Sequence, residues 1–344
     1  MKRNLILSCA AAAFFGAGWA SAQDLTVVNF GGANGNAQKA AFSEPFEKKT
    51  GHKIIPVEYN GEEAKIRAMV EARHVTWDLV EVETNTVIRG CDEGLYEKLD
   101  YSKIAPKSDF IAEAPQECGL GFFVYSMVLA YNGDKLKTAP ASWKDFWDVK
   151  RFPGKRGMRK LAPTNLEFAL MADGVPAKDV YQVLSTKAGV DRAFKKLDEI
   201  KPYIQWWEAG AQAPQFLVAG DVVMSTVFSG RVDAARREGK NLNVVWDGSI
   251  YDLDYWAIPK GSPNKDLVLE YIAFSTAAPQ QAEYARHIAY GPVNQAAIRM
   301  LDAKTLADMP NSPANIKNAV LLSSQFWNDH GEELQQRFTA WAAK

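Results

Sequence analysis

The chain has 344 residues, of which 47% are hydrophobic, and it carries 40 basic and 41 acidic side chains. A formal charge of −1 offers no excess of positive charge for a polyanion, so nucleic acid is excluded as an expected partner. A chain of this length exceeds what one hydrophobic core usually organises, and two lobes are therefore expected.

The first segment is typical of a secretory signal peptide. Lys2 and Arg3 precede an uncharged apolar run that ends in the small residues Ala20-Ser21-Ala22. The run is short for a membrane anchor, and the cleavage triplet follows it directly. We therefore expect cleavage after Ala22 and an exported, periplasmic protein in which 38 of the 40 basic residues remain beside 41 acidic ones.

Strands and helices are predicted to alternate through the first block. The sequence DLTVVNF (24–30) indicates a buried strand, GGANGNAQ breaks it, and KAAFSEPFEKKTG is an amphipathic helix. A second strand HKIIPVEY, a helix NGEEAKIRAMVEARH and a third strand WDLVEVE follow in order. This alternation predicts an α/β fold with a parallel sheet covered by helices.

A second α/β block begins after SMVLAYNGDKL. It contains the helical segments NLEFALMADG and AKDVYQVLSTKAGVDRAFKKLDEI and the strand-like VVMSTVFSG. The stretch NLNVVWDGSIYDLDYWAIP then predicts a strand, a turn and another strand, before helices run to the C-terminus. The chain has no internal repeat and no low-complexity tract.

Two cysteines, Cys91 and Cys118, remain once the segment containing Cys9 is removed. An even number in an exported chain favours a disulfide between them, with two buried free thiols as the alternative. No metal site and no cofactor is expected, since no C-x-x-C occurs. The histidines are scattered, at His52, His74, His287 and His330.

Several segments together resemble the polyamine-type extracellular solute-binding proteins of bacterial ABC importers, across almost the whole mature chain. Those segments are PFEKKTGHKI, WDLVEVET, GLYEKLDYSKI, SMVLAYNGDKL, SWKDFW, FPGKRGM, VVWDGSIYDLDYWAIPKGSPN and YGPVN, in this order. The resemblance implies a two-lobed periplasmic-binding-protein fold of type II, with α/β lobes joined by crossing strands around a ligand cleft. It also implies a monomer that delivers a small molecule to an inner-membrane ABC permease.

The resemblance also divides the chain. Residues 1–22 would be the signal peptide, 23–132 plus 255–302 the first lobe, and 133–254 plus 303–344 the second. The segments VLAYNGDK and LDYWAIP would connect the lobes. In two-lobed α/β proteins, ligands bind at the carboxyl ends of strands, so the loops after strands are the predicted site.

Asp254 matches the family position that holds a ligand ammonium group, and Asp252 stands where the polyamine binders usually carry tryptophan. A buried carboxylate makes strong charge-assisted hydrogen bonds, although a hinge aspartate satisfied by backbone groups is the alternative. Strand alternation places Asp252, Asp254 and Trp256 on one face, so that only Tyr255 or Trp256 faces the site.

The loop after the first strand is a second candidate region. Phe30 ends that strand, and Gly31-Gly32 allow the backbone to approach a ligand closely. The polyamine binders tend to have tryptophan here, whereas this chain has only Phe30, which offers a smaller aromatic surface for stacking. A phosphate loop is the rival interpretation, but neither glycine-rich phosphate motif is present.

Acidic residues also end the third strand, where Glu83 lies at the carboxyl end and Thr84 beside it is a hydrogen-bonding candidate. If Val80 and Val82 face the core, Glu81 shares the opposite face with Glu83. Simple solvation of both acids is the alternative.

In the second lobe the resemblance implies an acid near Glu167 and an aromatic at Phe228. Glu167 would suit a helix N-terminus without any ligand. The remaining candidate wall residues are Gln212, in the polar turn after Trp206 and Trp207, and Tyr290, in YGPVN. At most one tryptophan of the pair is expected in the cleft.

Binding rather than catalysis is predicted, because no G-x-S-x-G, H-E-x-x-H or Cys/His pairing occurs. Ferric iron is disfavoured because no Tyr-Tyr pair is present. The acids and aromatics favour a small cationic amine such as putrescine or spermidine. An ω-amino acid such as γ-aminobutyrate (GABA) or 5-aminovalerate is the alternative, with Arg156, Arg159, Arg231 or the Gly31-Gly32 amides as partners for its carboxylate.

Overall fold

A computed structural model describes residues 24–343, and the predicted signal peptide lies outside them. The strands are β1 Leu25–Asn29, β2 Ile54–Glu58, β3 Leu79–Glu83, β4 Gly119–Asn132, β5 Arg156–Arg159, β6 Ile204–Trp207, β7 Met224–Phe228, β8 Leu242–Ala257, β9 Gly291–Pro292 and β10 Val320–Leu321. The helices are α1 Gly32–Gln38, α2 Glu44–Thr50, α3 Glu63–Glu71, α4 Thr84–Asp92, α5 Trp143–Trp147, α6 Asn165–Ala172, α7 Val180–Leu184, α8 Lys187–Ile200, α9 Gln212–Ala219, α10 Ser229–Arg237, α11 Lys265–Ser275, α12 Ala278–His287, α13 Gln295–Arg299, α14 Ala303–Ala307 and α15 Ser324–Ala342.

The strands form one sheet with a parallel set at each end. Its order is β2-β1-β3-β8-β4-β7-β5-β6, in which β2, β1 and β3 are parallel neighbours, as are β7, β5 and β6. The long strands β8 and β4 pair antiparallel between the two sets. The predicted α/β class, with helices connecting parallel strands, is confirmed.

Two large hydrophobic cores lie along this sheet, and a smaller cluster lies within residues 282–309. The first gathers side chains from residues 25–125 and 253–293, and the second from 127–250 and 320–338. The core changes between Tyr125 and Met127 on β4, and between Ile250 and Leu253 on β8. The two long strands therefore pass from one lobe to the other, whereas the predicted connection VLAYNGDK already lies within the second lobe.

The predicted glycine-rich break after β1 is shorter than expected. Gly31 and Gly32 have φ of 60° and 57°, and α1 begins at Gly32. Gly31 has φ 60° and ψ −166°, a backbone conformation that residues with a Cβ atom rarely adopt, so the sharp strand-to-helix turn favours glycine there. The chain then stays helical to Thr50 through a π-helical turn at Lys39–Ser43.

The predicted turn inside NLNVVWDGSIYDLDYWAIP is also wrong. Both halves of this segment pair with the same strand β4, so the chain does not reverse and β8 runs unbroken for 16 residues. Gly248 has a φ of 69°, and the pairing register with β4 shifts across this region. The glycine therefore marks a bulge rather than a turn.

The predicted disulfide is present between Cys91 and Cys118, with the Cα atoms 5.6 Å apart. It ties α4 to the residue before β4, on the first lobe. Within residues 24–343, no helix is both long enough and apolar enough to cross a membrane.

Candidate ligand-binding site

A cavity lies between the two cores, where strands of both lobes end. Its first-lobe wall is formed by Phe30, Asn34, Asn60, Glu83, Tyr125, Asp254 and Tyr290. Its second-lobe wall is formed by Arg159, Glu208, Gly210, Phe228 and Arg231. A larger open groove continues outward from Phe30, Asn60, Glu83 and Arg159 toward solvent.

Two acidic residues of the first wall are direct neighbours across the sheet. Glu83 on β3 pairs with Asp254 on β8. Asp254 is only 5% exposed, and its Oδ1 atom has no hydrogen-bond partner among residues 24–343. Burial, together with the negative charges of Glu81 and Glu83, raises the pKa of Asp254 well above its ordinary value. This carboxyl group can therefore accept a cationic donor that the protein itself does not supply.

Glu81 lies behind Asp254 and is completely buried, not solvated as the alternative held. Its carboxylate accepts hydrogen bonds from Asn34 Nδ2 at 2.7 Å and from Gln38 Nε2 at 2.8 Å. It also shares a hydrogen bond with Asp254. Helices cover both faces of the sheet, so a side chain on either face of β3 can be buried. Strand alternation alone therefore does not predict that Glu81 is exposed to solvent.

Two guanidinium groups occupy the second wall. Arg159 at the end of β5 forms a 2.9 Å ion pair with Glu83 across the cleft. Arg231 on α10 donates to the backbone oxygens of Phe30 at 3.0 Å and Gly31 at 3.3 Å, also across the cleft. The Nε atoms of both arginines are buried and have no partner in the described part of the chain. This wall can therefore accept an anionic oxygen.

Aromatic rings line the space between the charged groups. Phe228 is the last residue of β7, and its ring lies 5.4 Å from that of Tyr125 and 5.3 Å from the Arg159 guanidinium carbon. Phe30 stacks on Tyr59 at 5.0 Å. These rings give the cavity an apolar surface beside the acids and guanidinium groups, and contacts between charges are stronger in such surroundings than in water.

Five of the predicted ligand-binding residues therefore line the cavity: Phe30, Glu83, Phe228, Asp254 and Tyr290. Gly31 and Gly32 do not line it, but the Gly31 carbonyl accepts from Arg231, and a Cβ on Gly32 would lie 2.7 Å from Arg231 Nη1. The absence of a side chain at Gly32 thus leaves room for the Arg231 guanidinium group.

Thr84 and Asp252 lie together beside the cavity instead of in its wall. The Thr84 hydroxyl donates to the Asp252 carboxylate, which is 1% exposed. Burial raises the pKa of Asp252 to about 7. Asp252 and Asp254 are two residues apart on one strand, but only Asp254 reaches the cavity.

Glu167 lies inside the second lobe, away from the cavity, contrary to the expectation from the resemblance. Its Oε1 atom accepts from Tyr181 and from the Trp327 indole, each at 2.9 Å, and the residue is 0% exposed. Burial raises the pKa of Glu167 to about 7. These hydrogen bonds join α6 to α7 and α15, and Glu167 does not line the cavity.

Gln212 caps a turn and does not face the cavity. Its Oε1 atom accepts from the backbone amides of Glu208 at 2.9 Å and Ala209 at 3.0 Å, at the start of α9. Of the three arginines considered, Arg156 is buried elsewhere and donates to the Phe146 carbonyl. None of the four aromatic alternatives lines the cavity; these were Trp206, Trp207, Tyr255 and Trp256.

Sequence reasoning missed Asn34, Asn60, Tyr125, Glu208 and Gly210 as wall residues. Tyr125 lies within the apolar run of β4, where nothing in the pattern separates it from core aromatics. Asn34 lies in the segment interpreted as a glycine-rich break. Recognising that segment as a helix starting at the cleft would have pointed to Asn34.

Comparison with known proteins places the chain among transport proteins. The sequence pattern of the family described as "Bacterial extracellular solute-binding protein" matches residues 41–314. A gamma-aminobutyric acid-binding protein of Pseudomonas aeruginosa is 51% identical, over 98% of this chain and 96% of its own. The spermidine/putrescine-binding periplasmic protein of Escherichia coli is more distant, at 25% identity over 86% of this chain and 87% of its own.

Solved structures agree over nearly the whole chain. A GABA receptor is 36% identical with a TM-score of 0.83, covering 94% of this chain and 98% of that one. The binding protein AgtB of A. tumefaciens R10, solved with agropinic acid, is 32% identical with a TM-score of 0.86, covering 94% and 99%. The solved neighbours are two-lobed periplasmic binding proteins, so the predicted fold class is confirmed.

Proposed function

Because the chain belongs to the bacterial extracellular solute-binding proteins, which serve ABC transporters and are not enzymes, we propose that its ligand is a short ω-amino acid such as GABA. The protein would capture this zwitterion in the periplasm by closure of its lobes and deliver it to an inner-membrane ABC permease. Asp254 would hold the ammonium group, and Arg159 and Arg231 would hold the carboxylate.

The observation that carries this proposal is the opposite charge of the two cavity walls. Asp254 presents an unpaired carboxyl oxygen, and the two arginines present unpaired guanidinium nitrogens, all within the same cavity. A zwitterion satisfies both walls at once, with charge-assisted hydrogen bonds at each end. A diamine would satisfy Asp254 but would bring its second ammonium group toward two guanidinium groups, which repel it. The acid of that wall, Glu208, is already paired with Lys160 at 3.2 Å.

The relatives support the same choice. A relative at 51% identity is named for gamma-aminobutyric acid, whereas the spermidine/putrescine binders reach only 25%. The polyamine ligand favoured by the sequence is therefore less well supported than its alternative. The two tryptophans that polyamine binders usually carry are also replaced here, by Phe30 and Asp252.

A thermal-shift screen tests the proposal. A ligand that binds only the folded protein raises its melting temperature in proportion to RT ln(1 + [L]/Kd). We expect GABA and 5-aminovalerate to stabilise the protein, and putrescine, spermidine and neutral 1,4-butanediol to do so far less. Stabilisation by the diamines alone would contradict the proposal.

A further inference from the structure

We propose that Glu81 is a positioning residue that shares one proton with Asp254 in the ligand-free protein, and that the ammonium group of the ligand replaces this proton. Ligand capture then releases a proton to the solvent. This inference rests on the proposed function, because it requires an ammonium group at Asp254.

The two carboxyl groups are held together by the sheet. Glu81 and Glu83 lie two residues apart on β3, and Asp254 pairs with Glu83, so Glu81 and Asp254 are diagonal neighbours on adjacent strands. Glu81 is 0% exposed and Asp254 is 5% exposed. Two neighbouring carboxyl groups that are this deeply buried do not both ionise without a compensating cation.

The hydrogen bonds place the proton on Asp254. The side chains of Asn34 and Gln38 and the Phe30 amide all donate to Glu81, at 2.7, 2.8 and 3.4 Å, so its oxygens act as acceptors. Three N–H donors suit an ionised carboxylate. The hydrogen bond between the two acids then needs its proton from Asp254, whose Oδ1 atom stays unpaired at the cavity.

The surrounding charges do not supply the missing cation. Glu83, the register partner of Asp254, is paired with Arg159, while Asp252 accepts from Thr84. Arg231 donates to backbone oxygens of the first lobe, and no Lys or Arg within residues 24–343 forms an ion pair with Glu81 or Asp254. The remaining facing groups are phenols, those of Tyr59, Tyr125, Tyr284 and Tyr290.

Burial supports the same assignment, since it raises the pKa of both acids and most strongly that of Asp254. When the ligand enters, its ammonium group adds one positive charge beside the pair. The O–H bond of Asp254 breaks, its proton passes to the buffer, and the Asp254 carboxylate accepts an N–H from the ligand. Glu81 stays ionised throughout and keeps its donors.

Two consequences follow. Affinity for GABA increases with pH by about tenfold per pH unit wherever the free protein carries the shared proton and the complex does not. A ligand that carries a hydroxyl in place of the ammonium group, such as γ-hydroxybutyrate, binds without releasing a proton. It has no positive charge that could replace the proton shared by Glu81 and Asp254.

The test is isothermal titration calorimetry of the full mature protein with GABA, in buffers of different ionisation enthalpy, between pH 5.5 and 8. We expect release of close to one proton in the wild type near neutral pH. In Glu81→Gln, the new amide can donate to an ionised Asp254, so proton release should fall near zero and affinity should change less than about twofold per pH unit.

Glu167→Gln is the matched control, since it neutralises another fully buried acid that lies away from the cavity. Its proton release should equal that of the wild type. GABA binding without proton exchange anywhere in this range would overturn the inference and leave the proposed function intact. Retention of the release in a folded Glu81→Gln would overturn the role of Glu81, and absence of any GABA binding in the wild type would instead contradict the proposed function.

The wild-type proton count and pH dependence do not require the variant to fold. They therefore decide whether the exchange occurs even if Glu81→Gln is unstable.

Discussion

The two walls of the cavity differ in the charge they keep free. The first-lobe wall holds Glu83 and Asp254, with Glu81 behind them, whereas the second-lobe wall holds Arg159 and Arg231. Each wall alone leaves buried charge or unpaired polar atoms facing the cavity, which is costly without a partner. Because one wall is acidic and the other basic, closure of the lobes is most favourable around a ligand with opposite charges at its two ends.

The walls also contact each other directly. Glu83 pairs with Arg159, and Arg231 donates to the Phe30 and Gly31 carbonyls, so part of each charge is used in joining the lobes. What remains for a ligand is the free Asp254 oxygen and the two guanidinium Nε atoms. Single substitutions can therefore distinguish the groups that are free to contact ligand from those that join the lobes.

The largest effect is expected from Asp254→Asn, which removes the negative charge of the first wall. Loss of one partner from a buried charge pair costs about 2–5 kcal/mol, so GABA affinity should fall by at least about 30-fold in calorimetry. Asp252→Asn is the control, because Asp252 is equally buried on the same strand but does not line the cavity. Similar losses from the two variants would refute the distinction between these acids.

Glu167→Gln tests a buried acid that takes no part in the contrast between the walls. Burial raises the folded-state pKa of Glu167 from 4.5 to about 7, so folding favours its protonated form. The native protein is therefore stabilised at low pH and loses about 2–3 kcal/mol as the pH rises from 5 to 8. In urea unfolding, the decrease in the free energy of unfolding between pH 5 and 8 should be smaller in Glu167→Gln than in the wild type, with GABA affinity unchanged. An unchanged pH dependence of stability would contradict the raised pKa of Glu167.

The smallest effect is expected from Arg231→Gln, which weakens the second wall but leaves Arg159 in place. Loss of one charge-assisted hydrogen bond costs about 1.5–3 kcal/mol, so GABA affinity should fall by about 10- to 100-fold. Putrescine affinity should fall less or even rise, because a repelling charge is removed. A parallel loss for both ligands in competition titrations would show that Arg231 acts only in joining the lobes.

Much of the site could be predicted because it follows strand ends. Phe30, Glu83 and Phe228 each come directly after or at the end of a strand, and parallel strands bring such positions to one edge of the sheet. Asp254 was indicated by the resemblance and by its place on a strand that crosses between lobes. Alternating strands and helices likewise predicted the α/β class.

The rest depends on contacts that distant segments make in space. Glu167 suits a helix N-terminus whether or not a ligand is present, and only its hydrogen bonds to Tyr181 and Trp327 show that it serves the core. The burial of Glu81 depends on Asn34 and Gln38, which approach it from α1. The unbroken course of β8 depends on its pairing with β4, which no local pattern in the segment reveals.

A crystal structure of the GABA complex is the most direct test of the central claim. The account predicts the ammonium nitrogen within about 3.2 Å of the Asp254 carboxylate and the ligand carboxylate oxygens at hydrogen-bond distance from Arg159 or Arg231. GABA bound in the reverse orientation, or outside this cavity, would contradict it.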